Sequence, residues 1–289
     1  MIKAVIVDMD GTLLDDKNQI SEYTISVIKE FQKNGGIFVI NTGRSYVSSS
    51  KILEKAGISC DYICLSGAAI YNADGKCVLN DVMNPDEVQV ICEVEKKHTL
   101  YVDYITPEGI FSQCSKEFAK KHYLQEAKLL AEKQNKKFCE DEAIQKYQWI
   151  LDMVHYDADM ERLMDNGLLI YKAAIMAMDE QIVQTVKDEI NSHPELSVAS
   201  TSPVYCEINA KRVDKGLATV EYICMNGLFP EEVMVIGDSE NDIPMFKMSF
   251  AKKVAMANAT DALKQLSTDV TDSNTEDGVA HAIEKWALK

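Results

Sequence analysis

Short runs of consecutive apolar residues at both ends of the chain constrain its fold more than any other feature. Ile2-Lys3-Ala4-Val5-Ile6-Val7, Ile37-Phe38-Val39-Ile40, Tyr62-Ile63-Cys64-Leu65 and Val233-Met234-Val235-Ile236 are rich in β-branched residues, and Val254-Ala255-Met256 is a shorter run of the same kind. A half-exposed strand alternates apolar and polar residues, whereas an almost unbroken apolar run marks a strand covered on both faces, as in a parallel sheet. Helical signals lie between the runs. Ser21 is placed to cap a helix, with Ile20 and Ile25 as a hydrophobic staple and Gly35-Gly36 at its end. A second helix is predicted from about Ser45 to Lys55, stopping at Gly57. Leu217, Val220 and Cys224 are spaced for a third, and the tail from Gly278 to Lys289 for a fourth. This βαβαβ grammar predicts a Rossmann-like α/β core with right-handed crossovers.

The middle of the chain reads differently. Residues 84–208 are more charged, and their strand-like runs (101–105, 148–154, 168–176 and 197–208) are less continuously apolar. Amphipathic helices are expected around 85–97, 115–134 and 179–191. The expectation is a discontinuous core, 1–83 with 209–289, interrupted by an inserted α+β domain at 84–208 whose antiparallel strands leave one face wet.

The formal charge of −16 excludes classes of partner. Such a surface repels phosphodiester backbones, so nucleic-acid binding is not expected. No apolar stretch is long enough for a membrane span. Asp8 and Asp10 so close to the N-terminus do not suit a signal peptide. The eight cysteines form no CxxC pair and read as reduced thiols, which points to a cytoplasmic protein. Both a monomer and a homodimer are compatible with the sequence.

In an open parallel sheet, ligands bind beyond the carboxyl ends of the strands. The first strand is followed by Asp8-Met9-Asp10-Gly11-Thr12, the second by Asn41-Thr42-Gly43-Arg44, the third by Ser66-Gly67-Ala68, and the late strand by Gly237-Asp238-Ser239-Glu240-Asn241-Asp242. If these strands are neighbours, Asp8, Asp10, Asp238 and Asp242 converge on one sheet edge. Crowded carboxylates repel one another, and Mg²⁺ would relieve the repulsion while keeping coordination positions for substrate oxygens. Thr42, Ser66 and the backbone near Gly43 and Gly67 suit anionic oxygens, and Lys215 adds a positive charge. Carboxylates, a metal, hydroxyls and a lysine around one pocket are what phosphoryl transfer needs.

These residues resemble the haloacid dehalogenase superfamily in its phosphatase form. Asp8-Met9-Asp10-Gly11-Thr12 is similar to its first motif, Thr42 to the second, Lys215 in Asp214-Lys215-Gly216 to the third, and Gly237 to Asp242 to the fourth. The long insert resembles the type 2 cap of the Cof-type sugar-phosphatase branch, as does the closing Val254-Ala255-Met256-Ala257-Asn258-Ala259. The resemblance implies that Asp8 is a nucleophile forming an aspartyl-phosphate, and that Asp10 protonates the leaving oxygen and then activates water. It implies that Asp8, Asp238 and the main-chain carbonyl of Asp10 bind Mg²⁺ and that Asp242 binds or supports it. Thr42 and Lys215 would grip the phosphoryl group. Met9, Gly43, Arg44, Ser66, Gly67 and Asn241 complete the expected phosphate and substrate side. Asn41 and Ser66 depart from the residues common in this branch. Asn41 is read as loop structure and Arg44 as meeting either substrate or the loop.

The implied activity is a Mg²⁺-dependent phosphatase for a small phosphorylated metabolite, a sugar phosphate or a phosphorylated cofactor such as pyridoxal phosphate or flavin mononucleotide. A phosphomutase would share the aspartyl-phosphate, and a metabolite-binding protein without turnover would share the scaffold. A dehalogenase would have no use for Asp10, and a P-type pump needs membrane spans.

Overall fold

Strands end where the motifs begin, so the element order positions the site. The structure is a computed structural model describing residues 1–133, 135–202 and 204–288. The chain starts with β1 (Ala4–Val7), α1 (Glu22–Lys33), β2 (Ile37–Asn41), α2 (Tyr46–Ala56), β3 (Asp61–Cys64) and a hairpin of β4 (Ala69–Tyr71) and β5 (Cys77–Asn80). There follow α3 (Pro85–His98), β6 (Tyr101–Thr106), β7 (Gly109–Phe111), α4 (Lys116–Lys133), α5 (Glu140–Leu151), β8 (Val154–His155), α6 (Met160–Asp165), β9 (Lys172–Met176), α7 (Glu180–Asn191), β10 (Leu196–Ser202) and β11 (Tyr205–Ala210). The last part holds α8 (Lys215–Met225), β12 (Val233–Gly237), α9 (Ile243–Lys247), β13 (Lys252–Ala255), α10 (Asp261–Leu266), β14 (Asp269–Val270) and α11 (Gly278–Trp286). One compact unit comprises Met1–Asp81 and Val213–Lys289, and a second comprises Val82–Arg212.

The first unit is built on an eight-stranded sheet in the order β14-β13-β12-β1-β2-β3-β4-β5. From β14 to β3 every pairing is parallel; β4 and β5 add an antiparallel edge. All residues of β1 and β12 are buried, which explains their unbroken apolar character. The helices between them are capped as their sequences suggest. Ser21 accepts from the Thr24 amide, Ser45 from Ser48, and Asp214 from Leu217, while Gly57 closes α2 in a left-handed conformation. The hairpin β4–β5 and the two-residue β14 have no counterpart in the sequence reading, because strands of two to four residues carry no measurable periodicity.

The second unit has a six-stranded sheet, β10-β11-β9-β6-β7-β8, antiparallel except for β7 with β8. α3, α4 and α7 lie where helices are expected, although Gln134 at the end of the expected 115–134 helix lies outside the described residues. The strand expected at 148–154 is instead the end of α5 followed by the short β8. Trp149-Ile150-Leu151 looks strand-like alone, but Ala143, Tyr147 and Leu151 are spaced for a helix, and Leu151 packs with Tyr101, Ala119, Tyr123 and Met176. The 168–176 run enters the sheet only at Lys172. The 197–208 run divides into the antiparallel pair β10 and β11, and position 203 within it lies outside the described residues. In the first unit, α11 reaches Trp286 rather than Lys289, which also lies outside them.

One buried acid in the second unit leads to a testable expectation. Asp103 on β6 is 5% exposed and accepts hydrogen bonds from the Tyr101 hydroxyl at 2.5 Å and the Tyr123 hydroxyl at 3.2 Å. Burial pushes its carboxyl up to about 7 from an ordinary value of 3.8, against the opposing effect of the two hydroxyls. The folded state therefore holds this proton more tightly than the unfolded state does. The contribution is fully present below the ordinary carboxylate range and is lost as pH rises through about 7, a difference of about 4 kcal/mol. Asp103→Asn is expected to flatten the loss of stability between pH 4 and pH 7. Parallel melting curves for wild type and variant across that range would refute the assignment.

Candidate active site

The parallel order β12-β1-β2-β3 sends the residues following these four strands to one sheet edge. Val7 pairs with Ile236 on one side and Ile40 on the other, and Asn41 pairs with Ile63. Asp8, Thr42, Leu65-Ser66 and Asp238 therefore emerge side by side. Lys215 reaches the same edge as the first residue of α8. Gly67 makes this approach possible. A Cβ on it would lie 2.5 Å from the Asp214 main-chain oxygen, and its φ of +111° lies where other residues are strained.

Asp8 is 3% exposed and Lys215 1% exposed. The Lys215 ammonium donates to Asp8 Oδ1 at 2.5 Å, to Asp242 Oδ1 at 2.7 Å and to Asn241 Oδ1 at 3.4 Å. Asp242 Oδ2 accepts from the amides of Asp238 and Ser239 at 3.0 and 3.1 Å. Both oxygens of Asp242 thus hold the lysine and the fourth-motif loop in place. Asp238 accepts at Oδ1 from the Thr12 hydroxyl at 2.8 Å. Ser239 donates its hydroxyl to Asn241 Oδ1 at 2.8 Å, which orients that amide toward Lys215.

Carboxylate oxygens of Asp8, Asp238 and Asp242 lie within 4.8 Å of one another. Burial raises the Asp8 carboxyl well above its ordinary value; Asp242 and Asp238 add to the rise, and Lys215 opposes it. Burial, helped by Asp242, pushes Asp238 up to about 6, against a hydrogen bond from Thr12. Burial alone would lower Lys215, but Asp242 and Asp8 outweigh it and hold the ammonium above its ordinary value. With all three carboxylates ionised, the one ammonium would leave two charges uncompensated. Hard oxygen donors with that excess suit a small divalent cation, so the donor set fits a metal of the Mg²⁺ type.

Asp10 stands apart from this trio. Its carboxylate is half-exposed and gripped by Arg44, through Nε to Oδ2 at 2.7 Å and through Nη2 to Oδ1. Arg44 Nη2 also donates to Asn18 Oδ1 at 3.0 Å. Arg44 thereby ties the loop after β2 to the loop after β1. Thr42 is fully buried, and its hydroxyl accepts from the Arg44 amide at 3.1 Å. The Ser66 amide donates to the Thr42 carbonyl and the Leu65 amide to the Arg44 carbonyl, both at 3.0 Å. These bonds hold Leu65 and Ser66 at φ of 54° and 59°, a region that non-glycine residues seldom occupy outside functional loops. Gly43 lies beside Ser66; a Cβ there would make ordinary contact with the Ser66 hydroxyl at 3.5 Å. Met9 is buried and its carbonyl accepts from Thr12 and Leu14.

Sequence reasoning assigns no role to Thr12, Asn18, Ser239 or Asn258, whose Nδ2 donates to the Gly11 carbonyl at 2.8 Å. Thr12 and Asn258 lie inside recognisable motifs, but their partners are far away in the chain. Gly11 itself has φ +82°, and a Cβ there would run into the Asp238 carboxylate. Gly11→Ala is expected to displace Asp238 and cost at least about 1–2 kcal/mol in backbone strain. Unchanged melting and unchanged metal affinity in that variant would contradict this account.

Comparison with known proteins decides the family. Residues 5–283 match the haloacid dehalogenase-like hydrolases. The chain belongs to this family. It is 29% identical over 287 residues to the 5-amino-6-(5-phospho-D-ribitylamino)uracil phosphatase YcsE of Bacillus subtilis, covering 99% of this chain and 96% of that protein. It is 27% identical to the phosphatase YwtE of the same organism, named for the same substrate, covering 98% of each. A haloacid dehalogenase-like hydrolase from B. subtilis shares the fold with a TM-score of 0.82 at 23% identity, over 99% of this chain and 100% of that one. Another from Bacteroides thetaiotaomicron gives 0.78 at 24% identity, over 99% of both chains. The resemblance read from the motifs stands, with its Cof-type branch, and the names of the relatives support a phosphatase. No helix among the described residues is long and apolar enough to cross a membrane.

Proposed function

We propose that this hydrolase is a Mg²⁺-dependent phosphatase acting on a small phosphorylated metabolite through an aspartyl-phosphate. The observation that carries the proposal is Lys215, buried between Asp8 and Asp242 with Asp238 beside them. Lys215 opposes the burial that would protonate Asp8, and an ionised carboxylate is the form that attacks phosphorus. The Asp8 oxygen forms a bond to phosphorus as the ester oxygen leaves, and Asp10 gives that oxygen its proton. Water then attacks the phosphoryl group on Asp8, passing a proton back to Asp10, and inorganic phosphate departs with both side chains restored. Lys215 and Thr42 hold phosphoryl oxygens during both transfers. A cation held by Asp8 and Asp238, with the Asp10 carbonyl, would offset charge on the phosphoryl group. Arg44 holds the Asp10 carboxylate through two hydrogen bonds.

The unit Val82–Arg212 is proposed as a cap that selects the substrate. Two relatives are named for 5-amino-6-(5-phospho-D-ribitylamino)uracil, which joins a phosphorylated polyol to a heterocycle. That compound is the first substrate to test, beside hexose phosphates, pyridoxal phosphate and flavin mononucleotide. The experiment is phosphate release from this panel with Mg²⁺ and with chelator. Release that requires Mg²⁺ supports the proposal. Tight binding without release across the panel would instead identify a binding protein, and transfer to a second hydroxyl of the substrate a mutase.

A further inference from the structure

Asn41, the last residue of β2, is fully buried just before Thr42. Its Nδ2 donates to the Lys215 main-chain oxygen at 3.0 Å and to Thr219 Oγ1 at 2.9 Å, and lies 3.7 Å from Met245 Sδ. Thr219 closes the triangle, donating its hydroxyl to the same Lys215 oxygen at 2.6 Å. A side chain from the second-motif strand is thereby fastened to the first turn of the helix that carries the third-motif lysine.

Two features of this arrangement go beyond packing. Lys215 is the first residue of α8, where the helix dipole disfavours a positive charge. Its long side chain must also meet two buried carboxylates at once. A fixed backbone under it limits the positions the ammonium can take. The second feature is a cost. Asn41 Oδ1 is buried with no hydrogen-bond partner, which costs about 1–3 kcal/mol. Turning the amide over would set this oxygen against the Lys215 carbonyl, so the hydrogen-bond network settles the orientation. An apolar residue of similar size would avoid the orphaned oxygen. The donors of Asn41 nevertheless go to the backbone of Lys215 and to the residue one turn along.

We infer that Asn41 is a positioning residue for the reaction, fixing the first turn of α8 so that the Lys215 ammonium is seated between Asp8 and Asp242. The inference rests on the proposed role of Lys215 in holding the phosphoryl group. Asn41→Leu removes the donors at similar volume, and Thr219→Val removes the hydroxyl that shares them. Each is expected to lower kcat about 10–100-fold while KM moves less than about threefold, because a misplaced group weakens the transition state more than the ground state. The double variant is expected to be no slower than the worse single one. Asn41→Leu is expected to keep or raise the melting temperature, since the orphaned oxygen is gone. A crystal structure of Asn41→Leu is expected to show the Lys215 ammonium shifted, its 2.5 Å contact with Asp8 lengthened but the ion pair kept.

A kcat within about twofold of wild type in both variants overturns the inference and leaves the phosphatase reading intact. So does a fall in melting temperature with turnover per folded molecule unchanged. If wild type releases no phosphate from any ester, the phosphatase reading fails. The crystal structure then decides the positioning role by itself, an unmoved Lys215 refuting it and a displaced one sustaining it. If Asn41→Leu does not fold, Thr219→Val carries the same comparisons.

Discussion

Asp8→Asn is expected to abolish phosphate release, by about 10⁴-fold or more, while leaving the protein folded and more resistant to heat. The two effects have one origin. Asp8 is a buried carboxylate whose carboxyl is raised well above its ordinary value by burial and by Asp242 and Asp238. An acid with a raised value in the folded state contributes stability only at low pH, and that contribution is lost as pH rises through the raised value. At neutral pH the burial of this carboxyl works against the fold. The amide removes the titrating group and the nucleophile together, and Lys215 keeps Asp242 as its partner. A higher melting temperature at pH 7.5, with the gain shrinking toward pH 4, is the expected signature. Retained turnover would sink the mechanism. A lower melting temperature at pH 7.5 would sink the electrostatic account and leave the chemistry standing.

Lys215→Met is expected to act on stability in the opposite direction. The ammonium is fully buried between Asp8 and Asp242. Removing it leaves buried carboxylates facing one another without a cation, and breaking a buried pair from one side costs about 3–5 kcal/mol. The carboxyls respond by binding protons more tightly, so the loss is smaller at pH 5 than at pH 8. Adding Asp242→Asn to Lys215→Met is expected to recover part of the stability and none of the turnover. Calorimetry at the two pH values provides the check. A melting temperature at pH 8 equal to that of wild type would show that Lys215 is not the counterion the geometry makes it.

The contrast between these variants reflects which features can be read along the chain and which cannot. The strands β1, β2, β3 and β12 are legible because burial on both faces leaves each as one apolar run, and Asp8, Thr42 and Asp238 follow directly from where those runs stop. Helix caps such as Ser21, Ser45 and Asp214 are legible because the partner amide is three residues away. The end of α5 is not legible, because Trp149-Ile150-Leu151 has strand character locally and only the contacts of Tyr147 and Leu151 with the cluster around Tyr123 favour a helix there.

Pairings across space are beyond the reach of pattern. Thr12 meets Asp238 across 226 positions, Asn41 meets Thr219 across 178, and Arg44 meets Asp10 across 34. A motif names a residue type and its neighbours in sequence. Whether Arg44 faces a substrate or Asp10, or whether an asparagine before Thr42 is loop or brace, depends on which strand lies alongside and which helix end is packed over it. The identity of the chemistry is written in contiguous residues, because buried parallel strands and tight turns are local. The division of labour among the carboxylates is decided by folding, because charge, burial and hydrogen bonding act through space.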